Sequence, residues 1–392
     1  MAIHPFKIDI STAVLEDLRS RLAATRWSEG LRDPGWNDGT SEVYLKALLQ
    51  HWQHGFDWRA QEQAINRFAQ FRTEVHGVGI HFIHERGRGG RPLPLILTHG
   101  YPDSFLRFRK LIPMLTDPAA HGGDAADSFD IIVPSLPGYG FSDKPREPGV
   151  LFRIGDLLAS LMTEHLGYRQ FGAHGGDWGS MVTEHLARSH AASVVGIHLT
   201  DVPFLHLFEK PKDLTHCEQE FVDSAEKWQK KEGAYALIQG TSPQTLAYGL
   251  NDSPAGLAAW IVEKFRAWSD CSGDIETRFS KDELLTHVTL YWATGTIRSA
   301  FQLYYDATNA GALTWVVEMF RKWVGSTSVP TGFASFPRDI LPPPREWADR
   351  FFNIERWTEM PRGGHFAAME EAELLAEDIR AFFRPLRSSG HS

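Results

Sequence analysis

The residues best placed to do chemistry lie in Phe171-Gly-Ala-His-Gly-Gly-Asp177-Trp-Gly-Ser180. One reactive side chain, Asp177, is flanked by small residues, and a helical pattern follows at Met181–Ser189. Small neighbours suit a crowded strand-to-helix turn that holds one side chain out over a sheet edge, because such a turn is tight and its backbone strained. An Asp in that position needs no base to become a nucleophile: its reference pKa of about 4 leaves it ionised at neutral pH. It can attack a saturated carbon that carries a good or strained leaving group, giving an ester of the enzyme's own carboxylate. Water must then attack the ester carbonyl, a step that calls for a base and an oxyanion hole. Gly-Gly-Asp-Trp-Gly alone does not separate this reading from an Asp that caps the next helix; the rest of the chain does.

Thr98-His99-Gly100-Tyr101-Pro102-Asp103-Ser104 follows an apolar run and has the form of a His-Gly-x-Pro oxyanion loop. The backbone N–H groups of Tyr101 and Trp178 are therefore the expected oxyanion donors. The base is expected late in the chain, and of 18 His it is His365 that follows Gly-Gly between the last strand and the last helix, in Arg362-Gly-Gly-His365-Phe-Ala-Ala. The acid that orients it is expected at the end of the preceding strand, where Phe336-Pro-Arg-Asp339 stands; Glu346, Asp349 and Glu355 read as solvated surface groups. The order Asp177, Asp339, His365 is the nucleophile–acid–base order of α/β-hydrolases. No Gly-x-Ser-x-Gly offers a competing nucleophile.

These residues need a scaffold, and the hydrophobic pattern supplies one. PLPLILTHG, FDIIVPSLPGYG and SVVGIHLTDVP are short apolar runs ending in turns, as expected of central parallel strands covered by helices. Helical stretches such as Ile154–His165 separate them, which is βαβ grammar. FRTEV and IHFIHE around His76-Gly77 read as strand, turn, strand. The expected organisation is an α/β-hydrolase fold, with a mostly parallel sheet flanked by helices. Residues 1–70 form an N-terminal helical extension, with helices at 11–27, from about Ser41 to Trp52, and from about Asp57. Residues 71–201 and 326–386 form the two parts of the core, 202–325 a helical lid, and 387–392 a disordered tail. Within the lid, Ser253-Pro254 is a cap followed by Pro at the first helical position. A last helix is expected at about Glu370–Phe383.

Composition excludes several classes. The chain has 392 residues, a formal net charge of −9 and no basic stripe, which argues against nucleic acid as a partner. No run approaches the roughly 18 apolar residues of a membrane helix, and the N-terminus has no apolar signal core. The two cysteines, Cys217 and Cys271, have no motif spacing, so a reducing, cytoplasmic setting is expected. No metal-binding or cofactor motif is present, and the expected cofactor is none.

Taken together, these motifs resemble the epoxide hydrolases related to the microsomal enzyme, over nearly the whole chain. Leu22…Thr25-Arg26-Trp27, Trp52 and Phe56-Asp57-Trp58-Arg59 resemble that family's N-terminal extension. His99-Gly-Tyr-Pro102, Gly176-Asp177-Trp178-Gly179, Phe336-Pro-Arg-Asp339 and Arg362-Gly-Gly-His365-Phe-Ala-Ala follow its motifs in order. The mammalian members carry an N-terminal membrane anchor; the expectation here is a chain without one. The resemblance implies two lid tyrosines that hold the epoxide oxygen. Tyr235, in Gly233-Ala-Tyr235-Ala-Leu, matches one, and Tyr304, in Gln302-Leu-Tyr304-Tyr305-Asp306, matches the other. Tyr305 is adjacent, and Phe301-Gln302 departs from the family's usual basic residue, so the second position stays open between Tyr304 and Tyr305. The implied reaction converts an epoxide and water to a vicinal diol through an ester on Asp177. A homodimer is implied at family level only. Trp178, Phe204, Trp260 and Phe301 are candidate pocket aromatics, although helix-spaced ones such as Trp260 are more often core. Two other readings remain: a haloalkane dehalogenase using the same nucleophile, and a non-catalytic ligand-binding homologue. The tyrosines and the extension favour an epoxide over a haloalkane.

Overall fold

The continuous apolar runs become the interior strands of one sheet. In the computed structural model, which describes residues 2–28, 35–208, 210–309 and 325–388, the strands are β1 (His4–Phe6), β2 (Gln70–Val75), β3 (Val78–Glu85), β4 (Leu93–Thr98), β5 (Phe129–Pro134), β6 (Phe171–Gly175), β7 (Val194–Leu199), β8 (Pro330–Ser335) and β9 (Asn353–Glu359). Among the described residues their spatial order is β1-β2-β3-β5-β4-β6-β7-β8-β9. The pairs β1–β2, β2–β3 and β3–β5 are antiparallel, and every pair from β5 to β9 is parallel. Leu95, Ile96, Leu97, Ile131, Ile132, Val133, Phe171 and Ala173 are fully buried, as strands covered on both faces must be.

The helices before the core are α1 (Thr12–Ala23), α2 (Glu42–His54) and α3 (Trp58–Ile65), capped by the side chains of Ser11, Ser41 and Asp57. The first ends at Ala23 rather than reaching 27, and Thr25 Oγ1 donates to the carbonyl of Leu22 at 2.8 Å just past that end. Next come α4 (Leu111–Thr116), α5 (Ile154–Ser160) and α6 (Trp178–Ser189). Between β7 and β8 the described chain is helical: α7 (His216–Glu232), α8 (Ala234–Thr241), α9 (Pro243–Asp252), α10 (Pro254–Ala267), α11 (Lys281–Thr294), α12 (Ile297–Ala300) and α13 (Gln302–Thr308). The expected lid, 202–325, also takes in residues 209 and 310–324, which lie outside the described residues. No helix among the described residues is long and apolar enough to cross a membrane.

After β8 come α14 (Arg345–Asp349), α15 (Ala367–Glu370) and α16 (Ala372–Phe383). The last helix, expected at about Glu370–Phe383, runs Ala372–Phe383, and a short helix precedes it across a break at Glu371, where φ is −138° and ψ 50°. Glu370 at the break is tied elsewhere: its carboxylate accepts the backbone N–H groups of Asp270, Gly364 and Phe366. Of the tail expected to be disordered from 387, residues 387 and 388 are described. Arg387 donates to the carbonyls of Asp127 and Ser128 at 2.7 and 2.9 Å and lies over the Phe129 ring; residues 389–392 lie outside the described residues.

The parallel strands all point one way, so the loops leaving β4, β6, β7, β8 and β9 gather along one edge of the sheet, where α/β enzymes bind their ligands. Those loops carry His99–Ser104, Asp177, Asp201, Asp339 and His365.

Candidate active site

Asp177 sits between β6 and α6 with φ 59° and ψ −132°, a conformation that costs a non-glycine residue of order 1–3 kcal/mol. The turn is possible because its neighbours lack side chains. A Cβ on Gly179 would stand 2.1 Å from the carbonyl oxygen of Thr98, and one on Gly100 would stand 2.1 Å from Asp177 Oδ1. Ser180 holds the turn from below, its N–H and Oγ donating to the Asp177 carbonyl at 3.0 and 2.7 Å.

The carboxylate itself is divided between two tasks. Oδ1 accepts the backbone N–H groups of Tyr101 at 2.8 Å and Trp178 at 2.7 Å. Oδ2 lies 3.3 Å from His365 Nε2. A helix-capping Asp would accept from two or three residues further along its own helix; Asp177 instead accepts from the next residue and from a separate loop. Helix α6, which begins at Trp178 and not at Met181, points its positive end at this carboxylate.

The loop that supplies the Tyr101 amide is fixed by a buried ion pair. Asp103 accepts from Gly100 N at 3.0 Å and from Arg107 Nη1 at 2.5 Å. Burial opposes the Asp103 charge, but Arg107 and His99 hold its carboxyl well below the usual carboxylate range. Arg107 also donates to the carbonyl of His365 at 2.5 Å, so one guanidinium bridges the His99–Ser104 loop and the loop that carries His365.

His365 Nδ1 meets Asp339 Oδ1 at 2.7 Å. Burial disfavours the imidazolium, yet Asp339 and Asp177 outweigh it and push the pKa of His365 up to about 10. The histidine's own N–H donates to the carbonyl of Trp268 at 2.8 Å, joining this loop to the helical insertion.

Above Asp177 lies a cluster of rings. Tyr304 packs edge-on to Trp178, Tyr101 and Tyr235 at centroid distances of 4.9, 5.5 and 5.8 Å. Tyr235 stacks parallel to Tyr101 at 6.3 Å and tilts on Trp268 at 5.2 Å. Burial, reinforced by the Asp177 charge, raises the pKa of Tyr235 well above its ordinary value; burial, with Tyr235 and Asp177, does the same for Tyr304. Both phenols therefore keep their protons. Tyr305 instead borders a surface groove of about 780 Å³ with Lys144, Tyr248, Arg298 and Gln302.

The pocket candidates divide. Trp178 borders the ring cluster, and its buried indole N–H has no hydrogen-bond partner among the described residues. Phe301 is fully buried against Tyr101, and Trp260 Nε1 donates to the Tyr101 hydroxyl at 2.7 Å, so both stand behind Tyr101. Phe204 is not brought in: it is 42% exposed and leans on Trp228. Sequence reasoning missed Asp201, whose Oδ2 accepts the Asp177 amide at 2.6 Å. The signal was there, since Asp201 follows the end of β7 much as Asp339 follows β8. It also missed Trp268, which no motif marks, and gave Asp103 and Arg107 no role. Two groupings among the described residues are close enough to share an ion, Asp156–His185–His190 and Asp201–Asp339–His365. In the first, both histidines meet Asp156 Oδ1 by hydrogen bonds.

Comparison with known proteins gives the family. The epoxide hydrolase N-terminus family matches residues 3–108, and the alpha/beta hydrolase fold family matches residues 94–256. A Stigmatella aurantiaca protein provisionally named an epoxide hydrolase is 43% identical over 389 residues, covering 98% of this chain and 86% of that one. Epoxide hydrolase 1 of Sus scrofa is 36% identical over 406 residues, covering 97% and 88%. The crystal structure of juvenile hormone epoxide hydrolase from Bombyx mori superposes with a TM-score of 0.87 at 26% identity, covering 100% of this chain and 96% of that one. An aspartate at the elbow, a matching N-terminal region and relatedness along the whole chain lead to one conclusion: the chain belongs to the epoxide hydrolases of the α/β-hydrolase fold.

Proposed function

We propose that this epoxide hydrolase works through a covalent ester on Asp177, with Tyr235 and Tyr304 as acids, His365 as base, Asp339 as its orienting partner, and the helices between β7 and β8 as the lid. The observation that carries the reading is the division of the Asp177 carboxylate. One oxygen is held by two backbone N–H groups and the other is left facing His365. The free oxygen, Oδ2, attacks an epoxide carbon. The carbon–oxygen bond of the ring breaks, and its electron pair goes to an oxygen that takes a proton from a tyrosine. Oδ1, already between the Tyr101 and Trp178 amides, becomes the ester carbonyl oxygen, so the oxyanion hole is preorganised for the next step.

The same esterification switches His365. Asp177 loses its negative charge, so one of the two carboxylates that raise the pKa of His365 no longer does so. The imidazolium gives its Nε2 proton, through solvent, to the tyrosinate left by ring opening, and the neutral imidazole can then take a proton from water on Nε2. The hydroxide attacks Cγ of Asp177, the Cγ–Oδ2 bond breaks, and the diol leaves with Oδ2 and the proton from His365. The new carboxylic acid gives up its proton to His365 Nε2, which restores the ion pair of the free enzyme. The ring walls of Tyr101, Trp178, Trp268 and the two tyrosines suit an epoxide with an apolar substituent.

A single turnover in isotopically labelled water, with enzyme in excess, tests this. The first diol should carry unlabelled oxygen, taken from Asp177. Label appearing at once in that diol overturns the covalent route.

A further inference from the structure

The proposed reaction leaves one acid of the site without a task. Asp201 lies just past β7, and its Oδ2 accepts the amide of the nucleophile at 2.6 Å. One of its carboxylate oxygens, one of Asp339 and a ring nitrogen of His365 lie within 4.8 Å of one another. Asp339 spends Oδ1 on His365 and on the amide of Ile340, and its buried Oδ2 has no hydrogen-bond partner among the described residues. His365 therefore has the Asp339 and Asp201 carboxyl groups within 4.8 Å of a ring nitrogen, and of the two it is Asp339 that is hydrogen-bonded to it.

Asp201 is faced by Asp339, by His365 and by Arg107, whose Nη2 shares the space over Gly176 with Asp201 Oδ2. Two carboxylates this close in a buried site resist carrying charge together. Burial and the Asp339 charge push the pKa of Asp201 up to about 7, while His365 and the Asp177 amide pull it down.

We propose that Asp201 is a positioning residue of the histidine relay, holding the strained backbone of the nucleophile and serving as an alternate anionic partner for the His365 imidazolium. This rests on the roles assigned above to Asp177, Asp339 and His365. No bond to Asp201 forms or breaks. When water gives its proton to Nε2, the positive charge on the ring is balanced by Asp339, with Asp201 as the neighbouring acid. If Asp339 is neutralised, Asp201 loses the neighbour that disfavours its charge and becomes the ring's remaining carboxylate partner on that side.

A double-mutant cycle on ester hydrolysis separates this role from mere support of the turn. Asn at 201 still offers an oxygen to the Asp177 amide but carries no charge, so Asp201→Asn should preserve the melting temperature and ester formation. Its effect on the hydrolysis rate should be at least about tenfold larger in the Asp339→Asn background than in the native one. The doubly changed enzyme should approach the roughly 10⁴-fold loss typical of a relay without its acid. An effect of Asp201→Asn that differs by less than about tenfold between backgrounds overturns the proposal.

A second measurement leaves Asp201 intact and does not depend on the Asp201→Asn/Asp339→Asn variant folding. In Asp177→Asn/Asp339→Asn enzyme, the His365 pKa followed by NMR should stay at or above about 6.5, the ordinary histidine value, because Asp201 remains as its counter-charge. A value below that means burial acts unopposed and sinks the role. Trapping the Asp177 ester in His365→Gln reports separately on the underlying mechanism. An adduct together with a flat cycle removes only the role of Asp201; no adduct removes the mechanism itself.

Discussion

His365 Nε2 stands 3.3 Å from Asp177 Oδ2, so in the free enzyme the proposed base is paired with the proposed nucleophile. That pairing, with Asp339 on the other ring nitrogen, raises the His365 pKa from 6.5 to about 10 against the opposing effect of burial. A raised pKa stabilises the fold fully below the ordinary value near 6.5, and the contribution is lost as pH rises through about 10. The stability gap between native enzyme and His365→Gln should therefore be largest near pH 6 and shrink by pH 9.5, as read by urea denaturation. A gap that widens with pH would contradict the ion pair. In single-turnover kinetics, ester hydrolysis should have its base limb at a pH well below the His365 titration of the free enzyme, because the ester has removed one counter-charge.

His365→Gln should still form the ester, since the attack uses Asp177 and the tyrosines, but should hydrolyse it at least about 10²-fold more slowly. Intact mass after incubation with substrate should show enzyme plus one epoxide. Recovery of only unmodified protein would count against His365 as the base.

Tyr235→Phe and Tyr304→Phe should each slow ester formation by about 10²-fold and leave ester hydrolysis nearly unchanged. Both phenols sit at the ring cluster over Asp177, with their proton affinities raised chiefly by burial. Tyr305→Phe, on the surface groove, should alter ester formation less than twofold. Stopped-flow quenching of tryptophan fluorescence on mixing with excess epoxide measures the first step directly.

Gly100→Ala should inactivate the enzyme through the oxyanion hole. Its Cβ would stand 2.1 Å from Asp177 Oδ1 and 2.4 Å from Asp177 Cβ, and the turn that carries Asp177 cannot give way by that much. The loop must shift, taking the Tyr101 amide with it, and loss of one such donor costs about 10²–10³-fold in kcat. Circular dichroism should show the same helix content, with kcat carrying the defect.

Arg107→Met should destabilise the protein by about 3–5 kcal/mol, because it strands the buried Asp103 charge. Arg107 and Asp103 are 2% and 0% exposed, so water cannot replace the lost partner. Chemical denaturation measures this. A loss below about 1 kcal/mol would mean that the ion pair is not holding the loop.

Much of the site is legible without coordinates. Asp177, His365, Asp339 and the Tyr101 and Trp178 amides each lie within a few residues of a strand end, and a parallel sheet gathers such ends on one edge. Local sequence also sets the caps at Ser11, Ser41, Asp57 and Ser253, because a cap is a contact between near neighbours. What the sequence by itself determined, then, is the fold, the order in which the candidate groups follow its strand ends and the chemistry open to an aspartate in that turn.

Tertiary structure decided the contacts that join distant segments. It turned Tyr304 rather than Tyr305 toward Tyr235 and left Phe204 outside. It brought Trp268 beside His365 and set Asp201 against the backbone of Asp177. The physical reason is the same in each case. Burial and the pairing of charges depend on which side chains share a volume, and that is fixed when helices, loops and sheet pack together rather than by the residues on either side in the chain.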